Sequence, residues 1–187
     1  MDKTFDDIKD MLKANYPLLY LATSEYGRAL QKLRRIAYEK DYAFYSWDNV
    51  DGLQSHVKNQ SNRLEKVEKH KAHQETKGYQ ELLEYIKRDS EGGNSKKEIY
   101  VVEDFHKYFK DDKVIVYLRK LTNILKSYDK HLVLMSPFLK LPDELEKYVT
   151  ILNVPLPDRD DLKTRLATIS GSENINPDLE KYLIDSA

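Results

Sequence analysis

Five short apolar runs punctuate the chain, at 18–22, 43–47, 99–102, 132–135 and 150–154. Most are continuously apolar rather than alternating, which is how strands buried on both faces of a parallel sheet read, although a short buried helix carries the same pattern. The segments between them decide in favour of strands. After the first run Tyr26, Leu30, Leu33 and Ala37 recur at helical spacing, with Arg28, Lys32, Arg35 and Glu39 off that face. Tyr79, Leu82, Leu83 and Ile86 do the same before the third run, and Val114, Tyr117, Leu118, Leu121, Ile124 and Leu125 form the clearest amphipathic stripe before the fourth. Strands alternating with helices that can pack on a sheet predict a mostly parallel, five-stranded α/β domain. A first helix, about Phe5 to Leu12, carries Phe5, Ile8, Met11 and Leu12 on one side, so residues 1–15 are expected to pack on the edge of the sheet.

Polar stretches mark the remaining organisation. Between 59 and 77 Leu64 and Val67 are the only large apolar residues in a run of interleaved charge, which predicts a charged helical insertion or a mobile arm. The tract 89–97 contains Gly92-Gly93 and no apolar residue, and is expected to be a flexible loop. Past a loop at 170–174, Asn176-Pro177-Asp178 is a helix start, followed by Leu179, Tyr182 and Leu183. That pattern stops at Ala187 without a glycine or other C-terminal signal, as expected of a fragment of a longer protein or of an end that frays.

A length of 187 residues suits one domain with a small appendage. Hydrophobic residues at 40% and charged residues at 34% describe a heavily charged surface around a real core. Because 31 Lys+Arg nearly cancel 32 Asp+Glu, no global field draws nucleic acid or an anionic membrane, and any such binding has to be a local patch. The absence of cysteine excludes disulfides, iron–sulfur clusters and thiolate zinc sites, and the five His show no metal-ligand spacing. The longest apolar run, 17–22, is far short of the ~20 residues that span a bilayer, and the N-terminus is acidic, so a cytosol-like compartment is expected. The 14 tyrosines, among them Tyr20, Tyr45 and Tyr100 inside strands, suit sheet packing or partly wet contact surfaces.

In open parallel sheets ligands bind beyond the carboxyl ends of the strands, which directs attention to the first strand-to-helix loop, Ala22-Thr23-Ser24-Glu25-Tyr26-Gly27-Arg28-Ala29. A P-loop reads Gly-x-x-x-x-Gly-Lys-Ser/Thr, and this loop keeps the register without the chemistry. Gly27 is retained; Ala22 replaces the first glycine, Arg28 stands at the phosphate-binding lysine, and Ala29 lacks the hydroxyl that would hold Mg²⁺. Glu25 adds a carboxylate that competes with phosphate for the positive helix N-terminus. The loop therefore argues against hydrolysis. The third run should be followed by the metal-site acid; here Glu103-Asp104 follows, either binding a metal-linked water or capping a short helix through Phe105, His106 and Phe109. Ser136 closes the fourth run, where a polar side chain would face a γ-phosphate or simply make the turn before Pro137. His106 lacks an accompanying nucleophile and is expected at the surface or at a helix cap.

Taken together, Tyr16-Pro17-Leu18-Leu19-Tyr20-Leu21-Ala22-Thr23-Ser24-Glu25, Ala43-Phe44-Tyr45-Ser46-Trp47, Val102-Glu103-Asp104-Phe105-His106, Leu132-Val133-Leu134-Met135-Ser136-Pro137 and Val154-Pro155-Leu156-Pro157-Asp158-Arg159 resemble the N-terminal domain of two-domain AAA+ ATPases of plastids, cyanobacteria and other bacteria. The resemblance implies a three-layer, P-loop-NTPase-like α/β domain over 16–170 with strand order 5-1-4-3-2. It also implies a lost nucleotide site and a truncated helical lid over 171–187. A second domain downstream would carry the working nucleotide motifs, and a plastid stroma becomes a possible compartment.

Three functions follow from these readings. The first is a non-catalytic module, without cofactor, that assembles with or regulates the active AAA+ domain downstream, in a full-length protein that forms a ring. The second is a residual ATP- and Mg-binding domain using Arg28 with Glu103 or Asp104. The third is nucleic-acid binding through residues 58–77, where Glu65, Glu68 and Glu75 interrupt the basic residues and no aromatic occurs before Tyr79. No membrane partner is expected.

Overall fold

The computed structural model describes residues 3–58, 64–66, 75–92 and 96–156. The chain divides into two compact units, Met1–Val154 and Pro155–Ala187. Of the second unit only Pro155 and Leu156 are described, both exposed. The expected helix opened by Asp158 and Arg159, the boundary at 170/171 and the lid over 171–187 lie outside the described residues.

The first unit is built on a sheet of β1 (Leu18–Ala22), β2 (Ala43–Asp48), β3 (Gly52–Lys58), β4 (Leu64–Lys66), β5 (Glu98–Glu103), β6 (Lys130–Ser136) and β7 (Thr150–Asn153). Its order is β4-β3-β2-β5-β6-β1-β7. The five strands expected from the apolar runs are β1, β2, β5, β6 and β7; they are mutually parallel and lie in the expected order. The central strands β1 and β6 are buried along their whole length, which explains their unbroken apolar runs.

Helices α1 (Lys3–Lys13), α2 (Tyr26–Glu39), α3 (Tyr79–Glu91) and α4 (Asp112–Ser127) cover both faces. Alternate strand residues point to opposite sides, so the core has two halves. Leu18, Tyr20, Tyr100, Val102, Leu132 and Leu134 meet α3 and α4. Leu19, Leu21, Ile99, Val101, Val133 and Met135 meet α1 and α2. Phe5, Ile8 and Leu12 of α1 are buried there, and Thr4 Oγ1 donates to the Asn153 carbonyl of β7 at 3.1 Å. Three helices turn into the next strand through a left-handed residue that is Asn or Asp rather than Gly: Asn15, Asp41 and Asp129. Their short polar side chains tolerate positive φ better than other L-residues.

Three expectations are corrected here. The sheet has two further strands, because β2 turns back as an antiparallel hairpin into β3, which pairs with β4. The turn is closed by Asp48 Oδ1, which accepts from Val50 N at 2.8 Å and Asp51 N at 2.7 Å, and by Gly52 at φ 76. Leu64–Lys66, expected within a helical insertion, are therefore strand; strand pairing with residues 56–58 satisfies their backbone where helical periodicity is lacking. Residues 59–63 and 67–74 of that insertion lie outside the described residues. Third, α3 runs through Glu91, so Asp89-Ser90-Glu91 are helical rather than loop: Ser90 Oγ donates to the Ile86 carbonyl at 2.7 Å, and Asp89 is held by an ion pair with Lys130 at 2.6 Å. Residues 93–95 of the expected loop lie outside the described residues.

Candidate functional site

The carboxyl ends of β1, β5 and β6 meet beside the N-terminus of α2, bringing together Ala22–Ala29, Glu103, Asp104 and Ser136. Thr23 extends β1 by donating its N–H to the Ser136 carbonyl at 2.7 Å, and Val154 N donates to the Ala22 carbonyl at 3.0 Å. The Thr23 hydroxyl is buried and accepts from the Glu25 N–H at 3.0 Å, so one amide that a phosphate cradle would offer is already used. Ser24 is exposed, and Glu25 occupies the N-cap of α2 without a side-chain cap bond. A Cβ on Gly27 would meet nothing within 4 Å, so this conformation does not require glycine there. Arg28 is only 6% exposed and Ala29 is fully buried in the α1–α2 half of the core.

The acid after β5 is engaged within the protein. Asp104 has φ 56 and ψ 22, a left-handed conformation between β5 and a 3₁₀ turn at Phe105–Tyr108. It sits at the N-cap of that turn, but its carboxylate makes no cap bond. Instead Oδ1 accepts from the Tyr26 phenol at 2.5 Å and Oδ2 from Lys107 Nζ at 2.5 Å. Burial raises the Asp104 carboxyl, but the bonds from Lys107 and Tyr26 outweigh it and hold the group below its ordinary value. Burial, then the bond to Asp104, pushes the Tyr26 phenol well above its ordinary range, so the proton stays on the phenol. Glu103, the last residue of β5, is half-buried and aligned with Met135 of β6.

His106, expected at the surface or at a cap, is buried and shares a hydrogen bond with Ser136 Oγ at 2.8 Å through Nδ1. Its edge meets the ring of Phe138 at 4.8 Å, and burial lowers its pKa. The reason is topological: the 3₁₀ turn folds back over the end of β6, which local sequence does not show. Tyr20 makes a further link, donating to the Phe138 carbonyl at 3.0 Å and accepting from Lys140 N at 3.2 Å. Tyr26 and Lys107 were missed from sequence because each has an ordinary reading, Tyr26 as part of the apolar face of α2 and Lys107 as a surface charge. The one available signal was a tyrosine inside the P-loop register, one residue before Gly27.

The family described as "SpoVK-like AAA ATPase, N-terminal domain" matches residues 4–154, which is nearly the whole of the first compact unit. The chain belongs to this family. Among curated relatives it is similar to the "Uncharacterized AAA domain-containing protein ycf46" of Trieres chinensis, 26% identical over 178 residues, covering 92% of this chain and 32% of the relative. The protein of the same name from Guillardia theta is 26% identical over 181 residues, covering 96% of this chain and 32% of its own length. The chain thus spans about a third of the length of these relatives.

Two solved structures support the fold of this AAA ATPase N-terminal domain. One is the replication initiator DnaA bound to AMPPCP and single-stranded DNA, with TM-score 0.57, 13% identity, and 99% of this chain and 55% of that one covered. The other is the HORMA:CdnC:Trip13 complex of E. coli MS115-1, with TM-score 0.59, 9% identity, and 98% and 72% covered. No helix among the described residues is long and apolar enough to cross a membrane.

Proposed function

We propose that this AAA-like domain is non-catalytic and serves as an assembly or regulatory module for an active AAA+ domain elsewhere in a longer protein. The observation that carries the reading is the Asp104 carboxylate: both oxygens already accept bonds from the protein, one from Tyr26 and one from Lys107. A metal-linked water would have to share an oxygen that already accepts from Tyr26 or from Lys107. The other positions support the same reading. Glu25 places negative charge at the helix N-terminus, its amide is bonded to Thr23, and neither the lysine nor the hydroxyl of a P-loop is present. These residues do not suit a magnesium triphosphate.

Calorimetric titration of the chain with MgATP tests this. The expected result is no saturable heat up to millimolar nucleotide, for the native chain and for Arg28→Ala alike. Saturable, Mg-dependent binding that Arg28→Ala abolishes would overturn it in favour of a residual nucleotide site.

A further inference from the structure

We propose that Tyr26, Asp104 and Lys107 form an internal latch that fixes the β1–α2 turn against the end of β5 without any ligand. This rests on the reading of the domain as nucleotide-free. In a nucleotide-binding cleft the phosphates and their metal bridge the first turn of the helix and the acid at the end of a second strand, and that bridge orders both loops. Here the bridge is made of side chains. The phenol comes from the first residue of α2, the carboxylate from the residue after β5, and the two are 78 positions apart in sequence.

Three features indicate a latch rather than incidental contact. Asp104 sits where a carboxylate would ordinarily cap the 3₁₀ turn, yet its side chain makes no such bond and is directed across the cleft to Tyr26. Its left-handed backbone is one that Asp adopts more readily than most residues, and its own N–H is anchored to the Met135 carbonyl at 2.8 Å. Two further bonds close the same corner from other strands: Ser136 with His106 at 2.8 Å, and Tyr20 with the Phe138 carbonyl at 3.0 Å. The ends of β1, β5 and β6 are thereby tied together by side chains.

The two halves of the latch are unequal. Lys107 and Asp104 are 55% and 36% exposed at their side chains, so their ion pair is screened by water and salt. The Tyr26 bond is partly buried and involves an ionised acceptor, the stronger type. The phenol is therefore the dominant member. The consequence is a domain that presents one fixed arrangement of these turns, where a nucleotide-dependent domain would present two.

Hydrogen exchange on the 187-residue chain tests the latch. Tyr26→Phe removes one hydroxyl and leaves the ring. It is expected to accelerate amide exchange at 23–29 and at 104–108 together, by roughly tenfold, as the loss of a bond to a charged group implies. Lys107→Met is expected to change either segment by less than about threefold. Acceleration in only one segment, no acceleration, or an effect of Lys107→Met equal to that of Tyr26→Phe would overturn the proposal. A separate MgATP titration of the native chain keeps the two readings apart. Binding there removes the non-catalytic reading, whereas an unresponsive Tyr26→Phe with no binding removes the latch alone.

Discussion

Lys130 is a fully buried lysine at the amino end of β6, far in the strand from the cleft at Ser136. Its ammonium lies 2.6 Å from both Asp89 Oδ2 and Glu98 Oε2, and the Tyr100 hydroxyl is within hydrogen-bond distance of the same two carboxylates, at 2.8 and 2.6 Å, with one proton to share between them. Removing the cation leaves the buried Glu98 beside the half-buried Asp89 without their shared partner, so Lys130→Met is expected to cost about 3–5 kcal/mol in urea unfolding despite its similar volume. The cluster also sets a pH dependence. Burial, then the hydrogen bond with Asp89, raises Glu98 to about 6. Burial opposes ionisation of Asp89 as well, but bonds from Glu98, Lys130 and Tyr100 bring it below its ordinary value. The contribution of Glu98 is thus complete below its unfolded pKa and lost as pH rises through about 6; that of Asp89 is lost as pH falls through its lowered value. Thermal melting across a pH series should show this contribution greatest at mildly acidic pH, and Glu98→Gln should flatten the decline above it. None of this cluster was legible in the sequence. Glu98 and Lys130 flank apolar runs and look like strand ends at the surface, and only the register that aligns Glu98 with Lys130 across β5 and β6 reveals them as partners.

At the scale of elements, legibility followed burial. β1, β5 and β6 lie inside the sheet, so their apolar runs are unbroken and read as strands once the amphipathic helices between them are recognised, and the stripe of α4 is buried at Val114, Leu118, Leu121 and Leu125 as its spacing implied. β3 was invisible because its sequence, Gly-Leu-Gln-Ser-His-Val-Lys, holds only two large apolar residues, and one of its polar residues is used in the sheet: His56 bonds Ser46 Oγ at 2.7 Å and its ring meets that of Phe44 at 5.4 Å. The turn before it was readable in principle, since Asp48-Asn49-Val50-Asp51-Gly52 has the residues of a tight hairpin. Gly52 is the position where that turn depends on glycine, with φ 76. Gly52→Ala is therefore expected to destabilise the chain by about 1 kcal/mol or more, read as a lower urea midpoint with an unchanged slope. The cost falls on the β2–β3 hairpin, so amide exchange in β3 should quicken ahead of that in β5 and β6.

On the scale of the whole molecule, the family match and the first compact unit coincide, at 4–154 and 1–154, while the curated relatives are about three times as long as the chain. The parallel strand order was legible only as what the family resemblance implied, and the observed order of β2, β5, β6, β1 and β7 agrees with it. The role of the domain within a longer protein was not, since fold alone does not carry function. Under the proposed function the domain is an assembly module of a longer protein. A module that assembles rather than binds nucleotide contributes contacts between subunits and nothing to the affinity of the remaining ATPase domain for its ligand. Deleting the first unit should then lower the oligomer mass in sedimentation, while the Kd for MgATP, measured by fluorescence titration on a concentration series, changes by less than about threefold, or well under 1 kcal/mol. A tenfold or larger loss of affinity with assembly intact would mean instead that this domain takes part in nucleotide binding. The two outcomes are separable because each moves one readout and leaves the other: assembly is lost with affinity kept in the first, and affinity is lost with assembly kept in the second.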